Sequence, residues 1–360
     1  MTGFALYRFP YEQQVTLMEQ TEGEPLQLLS CADLSDRRGF VVAPFCISSD
    51  LPILLIKPDR METFDDASHC RVPDGFRFEA SKPGVRSVRT DSLKRPNSSR
   101  ETYGEDFRAF HLPLRSGRFR KLVLSRCADE GSEPQSDVLS LFRQACELYP
   151  RLFVSLTYTA KSGLWLTATP EILLEGSGSK WRTIALAGTM KLEGEQLNGE
   201  GEQVCWSTKN IQEQRYVATY IKECLEQFSD EIREEGPRTV RAANLVHLRS
   251  DFSFTLYNKV RVGDVLQMLH PTPAVCGLPK QEAFRFIVEH EHSPRQYYSG
   301  FMGPILPDST RLYVSLRCMQ ILSDRFRLYA GGGLLKDSVE EQEWQETEAK
   351  LETMRRLLKS

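Results

Sequence analysis

Several charged residues stand where apolar ones are expected. Over a predicted helix from about Trp206 to Phe228, Val217, Tyr220, Cys224 and Phe228 form an inward stripe, and one turn back from Val217 that stripe arrives at Glu213. A buried carboxylate is costly unless compensated. Glu213 therefore needs a cation, a hydrogen-bond donor or the open end of a cavity, and a paired structural glutamate would satisfy the same pattern. A second predicted helix runs from about Asp337 to the C-terminus, with Leu351, Met354 and Leu358 as its core stripe. Glu343, Glu346 and Lys350 follow at i, i+3 and i+7 on the adjoining face. Two carboxylates and an ammonium converge there, as they also would on a solvated, ion-paired surface.

The predicted strands carry cations. In LYVSLRCMQIL, Arg317 shares a face with Tyr313, Met319 and Ile321, while Leu312, Val314, Leu316 and Cys318 cover the other, so one central strand with a buried guanidinium is expected. Such a guanidinium holds a carboxylate bidentately, either the protein's or a ligand's. Lys121 in RKLVLSR faces the same way as Val123 and Ser125. An inward lysine suggests a base with a lowered pKa, although near a strand end it can also reach out to water. Gly331–Gly333 match neither nucleotide-binding glycine motif, yet they allow close backbone approach to a ligand as well as a tight turn. His290 and His292 lack a third partner at metal spacing and read as surface residues, and no nucleophile signature accompanies the cysteines.

The elements that must position these residues are mixed. FALYRF, LQLLSC, GFVVAPF and LPILLIK read as short strands before residue 78. The stretch 81–104, with six basic residues from Lys82 to Arg100, reads as a mobile loop. Then come the RKLVLSR strand, a helix N-capped by Ser136, the strands RLFVSLTYTA, GLWLTATPEILLE and KWRTIALAG, and the long helix. FSFTLYNKV, a helix over KQEAFRFIVEHEH and the strands YYSGFMGPI, RLYVSLRCMQIL and FRLYAGG precede the last helix. Without a strict βαβ rhythm, and with short turns between strands, an α+β fold with antiparallel pairing is expected.

Composition narrows the function classes. The chain has 360 residues, 40% hydrophobic and 26% charged, with a net charge of −3, so it can bury a core and has no basic field for nucleic acid or an anionic membrane. Nine scattered cysteines, none in a C-x-x-C pair, read as reduced thiols. With no signal-like start and no run of eighteen apolar residues, a cytoplasmic, non-exported protein is expected.

HPTPAVCGLPK (270–280), YYSGFMGPI from Tyr297, LRCMQI (316–321), YAGGGLL and EWQETEAKL (343–351), with LAGT (186–189) and TPE ending at Glu171, resemble the chorismate-utilising enzymes, above all the isochorismate synthases. The resemblance covers roughly residues 105–358. It implies a single large α+β domain of two stacked antiparallel sheets flanked by helices, with residues 1–104 part of the same fold and 105–360 the catalytic part. It also implies a magnesium-dependent site between the sheets and chorismate as the small-molecule partner, in a monomer or weak dimer.

Carried over by motif, Glu213 and Glu346 match the metal ligands, with Glu343 close by. Arg317, Lys350 and the backbone of Gly188, Gly331 and Gly332 match positions that grip the substrate's carboxylates. Thr189, His247, Ala274 and Tyr298 line the substrate pocket. Lys121 matches the water-activating base and Glu171 the general acid, which implies water attack at C2, loss of the C4 hydroxyl and isochorismate for menaquinone or siderophore synthesis.

Lys121, where ammonia-using relatives have Gln, and Ala187, where aminodeoxychorismate synthases have Lys, argue against those activities. Ala274 favours stopping at isochorismate over a salicylate synthase, which would also eliminate pyruvate. A catalytically silent, metabolite-binding relative is the third alternative. Gln214 and Asn210 depart from the Glu-His pair and the Asp common in relatives, which bears on the electrostatics around the metal.

Overall fold

The computed structural model describes residues 1–76, 99–131, 137–191, 205–242 and 245–359. The chain opens with β1 (Gly3–Arg8), β2 (Val15–Gln20), β3 (Leu26–Leu28), β4 (Gly39–Ala43), β5 (Ile53–Ile56) and β6 (Arg60–Phe64). Next come α1 (Arg100–Arg115), β7 (Lys121–Gly131), α2 (Val138–Leu148), β8 (Phe153–Thr159), β9 (Gly163–Thr169), β10 (Ile172–Ser177) and β11 (Lys180–Lys191). Then follow α3 (Thr208–Leu225), β12 (Ile232–Ala242), β13 (Leu245–Thr255), α4 (Val262–Leu269), β14 (Gly277–Leu278) and α5 (Lys280–His290). The chain closes with β15 (Phe301–Ile305), β16 (Thr310–Val314), β17 (Cys318–Ile321), β18 (Arg325–Leu334) and α6 (Glu340–Arg355).

The described strands form two antiparallel sheets, one in the order β14-β7-β18-β17-β9-β8-β1-β2-β6 and the other β12-β13-β11-β10-β16-β15-β4-β5-β3. The first 64 residues thus complete both sheets. Strand alternation explains the stacking. Phe40 and Val42 point into the layer between the sheets, with Tyr7, Trp165, Ile184, Tyr313 and Tyr329 from both of them. Val41 and Ala43 point to the other face, where Val217, Ile221 and Leu225 of α3 and Leu266 of α4 cover the second sheet. On the first sheet the outer face is covered by Phe142 and Ala145 of α2 and Leu351 and Met354 of α6. Phe107 and Phe110 of α1 and Phe286 of α5 cover β7. Each large apolar side chain fully buried in these layers contributes roughly 1.5–3 kcal/mol.

Four expectations need correction. GLWLTATPEILLE is two strands, β9 of the first sheet and β10 of the second, with Pro170 and Glu171 between them. LYVSLRCMQIL is two strands: β16 belongs to the second sheet and β17 to the first, and the chain crosses between them at Ser315–Arg317. Apolar alternation continues across the step without a glycine or proline, so period alone does not reveal it. Arg317 therefore sits at the crossing, while Tyr313 packs between the sheets and Met319 and Ile321 pack outside them. Residues 100–104 are the first turn of α1, not loop, with Ser99 as N-cap. The rest of the basic stretch, to residue 98, lies outside the described residues. So does Ser136; α2 is capped by Asp137, which accepts from the Leu139 amide at 3.0 Å. Helices α1 and α4 and strand β12 were not legible, because mixed polar runs hide the apolar faces of α1 and β12 and α4 spans only Val262–Leu269.

Candidate active site

The chain passes between the stacked sheets at two adjoining places. β9 ends in the first sheet and β10 begins in the second, with Pro170 and Glu171 as the step; β16 and β17 make the reverse step through Ser315, Leu316 and Arg317. The steps are bonded together: the Val314 amide donates to the Glu171 carbonyl at 2.9 Å, Thr169 Oγ1 to the Val314 carbonyl at 2.7 Å, and the Ala168 amide to the Arg317 carbonyl at 3.0 Å. Arg317 has φ +47°, a conformation unfavourable for a long side chain and held only by its surroundings. Glu171 and Arg317 both line a cleft that is also lined by Glu213, His247, Ala274, Tyr298, Lys350, Gly188, Thr189 and Gly331.

Arg317 is 5% exposed and has no ion-pair partner among the described residues. One Nη donates to Thr353 Oγ1 at 3.3 Å and the other to His247 Nε2 at 2.9 Å. His247 must accept that bond, so its proton sits on Nδ1, facing the Gly188 carbonyl at 3.2 Å and Thr189 Oγ1 at 3.3 Å. Burial, with Arg317 and Lys350 nearby, pushes the imidazole well below its ordinary value and keeps it neutral. Burial also pushes Arg317 down, to about 10, which leaves it charged at neutral pH. Gly188 makes this geometry available: its φ of +70° forms the bulge between Ala187 and Thr189 in β11, and a Cβ there would crowd Asn210.

Glu171 is buried, and burial pushes its carboxyl up to about 8 against the pull of Lys121, Lys350 and Arg317. It is a proton donor at neutral pH. Lys121, the first residue of β7, is 0% exposed rather than reaching to water, and its Nζ lies 3.0 Å from Glu213 Oε1 as a charge contact rather than an aligned hydrogen bond. Gly333 of β18 leaves room for that pair; a Cβ there would strike Glu213 Oε1 and come within 2.8 Å of Lys121 Cε.

Glu343 and Glu346 line a neighbouring cavity that shares Thr189 with the cleft. Lys350 Nζ donates to Glu346 Oε1 at 2.7 Å and to the Gly331 carbonyl at 2.8 Å, forming part of the wall between them. Gly332 lies on the Glu343 and Glu346 side: a Cβ on it would be 3.3 Å from Glu343 Oε2 and 3.7 Å from Glu346 Oε1. Lys209, one turn before Glu213 on α3, pairs with Glu343 Oε1 and also attracts Glu213 and Glu346. Sequence reasoning missed Lys209; its place one turn before Glu213 on the same helix was the available signal. Burial and Glu346 push Glu343 up, whereas Lys350 and Lys209 hold Glu346 down despite its burial.

Among the described residues, no three acidic, histidine or cysteine side chains converge closely enough to enclose an ion by themselves. The donor set nonetheless suits a hard cation that takes one or two protein carboxylates and completes its shell with water and substrate oxygens. Glu343 Oε2 is buried and makes no well-formed hydrogen bond, and each of the three glutamates already has a lysine as counter-charge.

Residues 76–359 match the family described as chorismate binding enzyme. The chain is 29% identical over 238 residues to isochorismate synthase EntC of Escherichia coli, covering 65% of this chain and 61% of the relative. It is 30% identical over 247 residues to isochorismate synthase MenF of the same species, covering 68% and 57%. Both matches span less than two thirds of the relative. A solved structure of a putative 2,3-dihydroxybenzoate-specific isochorismate synthase, DhbC from Bacillus anthracis, superimposes with a TM-score of 0.80 over 98% of this chain and 95% of that one, at 22% identity. That likeness shows the fold: two large antiparallel sheets with flanking helices.

Proposed function

The chain belongs to the chorismate-binding enzyme family, and from that membership we propose that it is an isochorismate synthase, an isomerase that converts chorismate to isochorismate. One observation carries the reading: a buried, charged guanidinium without a protein carboxylate, Arg317, faces the same cleft as a carboxyl held protonated, Glu171. A dicarboxylate whose hydroxyl must leave as water uses both.

Arg317, with neutral His247 fixing its orientation, takes one substrate carboxylate, and Lys350 with Thr189 lies near the other. Lys121, after giving up the proton that pairs it with Glu213, accepts one from the water that attacks ring C2. The double bonds shift, the C4–O bond breaks, and Glu171 gives its proton to the departing hydroxyl. Hydroxyl migration is the net change; the proton gained by Lys121 and lost by Glu171 balance, and exchange with solvent resets both. Each transfer contributes about 10² to 10⁴-fold in rate. Glu213, Glu343 and Glu346 would hold Mg²⁺. When bound, that ion supplies positive charge to the substrate's carboxylates. The product would feed menaquinone or siderophore synthesis in the cytoplasm; among the described residues no helix is long and apolar enough to cross a membrane.

The test is to incubate the protein with chorismate and Mg²⁺ and to separate the products. Isochorismate without pyruvate is expected. Pyruvate in step with chorismate consumption would make it a salicylate synthase, and untouched chorismate a silent binding relative.

A further inference from the structure

β7 carries Lys121 at its start and pairs with β18 along one edge. Its other edge is covered by β14 only at Lys121 and Leu122. Beyond that point the Val123 amide still donates to the Cys276 carbonyl at 2.7 Å, and then the backbone partner turns away. Two side chains continue the ladder. Arg295 Nη2 donates to the Val123 carbonyl at 2.8 Å, and Glu291 Oε1 accepts the Ser125 amide at 2.7 Å.

The two side chains are also locked to each other. Arg295 Nε reaches Glu291 Oε2 at 2.6 Å and Nη2 reaches Oε1 at 2.8 Å, a bidentate fork between groups 3% and 4% exposed. The remaining Nη1 donates to the Val275 carbonyl at 2.6 Å, and the guanidinium lies over Phe45 at 4.2 Å. One planar group therefore ties together two carbonyls whose residues, Val123 and Val275, both line the cleft. The turn after it puts Tyr298 into the same cleft, the Tyr298 amide donating to the Arg295 carbonyl at 2.9 Å.

We propose that Glu291 and Arg295 are positioning residues for the reaction: their ion pair stands in for the missing strand beside β7 and sets the distance between the strand of Lys121 and the Ala274–Val275 wall. Neither touches the cleft; both act through backbone. Lysine in place of Arg295 keeps the charge but cannot span both carbonyls and the carboxylate.

The kinetic readout rests on the isochorismate synthase reading, and a second readout does not. Arg295→Lys and the double variant Glu291→Met/Arg295→Met, which avoids stranding a buried charge, are compared with the wild type for cooperative melting, kcat, KM and amide exchange at Val123 and Ser125. Expected are folded variants whose kcat falls about 10²-fold with KM within about twofold, as for a misplaced base, and faster exchange at those amides with other strands unchanged. Wild-type kcat in the folded double variant overturns the assignment, as does loss of cooperative folding in both variants, which would make the pair structural. If the wild type leaves chorismate untouched, the functional reading fails alone and exchange decides: faster exchange at Val123 and Ser125 upholds the positioning role, and unchanged exchange ends it.

Discussion

Lys121 Nζ and Glu213 Oε1 face each other at 3.0 Å in an interior where Lys121 is wholly closed off from solvent. The proposed base and the proposed metal ligand thus stabilise each other, and removing either has two effects at once. Lys121→Ala leaves Glu213 buried without its cation, so it should lose about 3–5 kcal/mol of stability as well as turnover. Lys121→Ala/Glu213→Ala should regain most of that stability and stay inactive. Urea midpoints alongside product assays check both, and a single variant as stable as wild type would show that the pair does not stabilise the protein.

Glu171 sets a limb of the pH profile. Its carboxyl is raised to about 8 by burial, so the acid form persists through neutrality and kcat should fall as pH rises through about 8. Stability moves the same way. A folded-state value above the unfolded one gives stability that is complete below the ordinary carboxyl range and lost as pH climbs to about 8. Glu171→Gln should abolish turnover, at a cost of about 10² to 10⁴-fold, and flatten that part of the stability curve. The check is pH-dependent thermal melting of both proteins.

Arg317 is buried as a charge without a counter-ion among the described residues, at a cost to the ligand-free protein. Arg317→Gln should therefore raise the melting temperature of the ligand-free protein while weakening substrate binding by about 10- to 100-fold, the worth of a charge-assisted hydrogen bond. Calorimetry and KM test this together; a lower melting temperature would speak against a cost from the uncompensated buried charge.

Gly333→Ala places a methyl group against Glu213 and Lys121. Turnover should drop at least about tenfold, because overpacking displaces both side chains, with a stability loss of about 1–3 kcal/mol. Kinetics and denaturant unfolding provide the comparison.

Chelation should remove activity, and Mg²⁺ should restore it. Independently of turnover, millimolar Mg²⁺ should raise the melting temperature of the wild type by mass action and raise it less in Glu343→Gln/Glu346→Gln. Equal shifts in both proteins would place the ion elsewhere.

Much of the site was legible in the chain because its signals are local. Helix period alone put Glu213 on an apolar face and Glu343, Glu346 and Lys350 on one side of α6, and strand alternation pointed Lys121 inward. Most strands and four of the six described helices announced themselves through period and turn residues. What period cannot carry is which distant element lies opposite. That Lys121 meets Glu213, that Lys209 meets Glu343, and that Arg317 sits at a step between sheets all depend on how two sheets stack and which helices cover them. Those placements come from burial shared among many residues far apart in sequence. The chain alone therefore supplied the reactive groups and the faces they occupy, and the tertiary structure decided their partners, because a charge partner is chosen by proximity and low local dielectric, neither of which exists until the layers have closed.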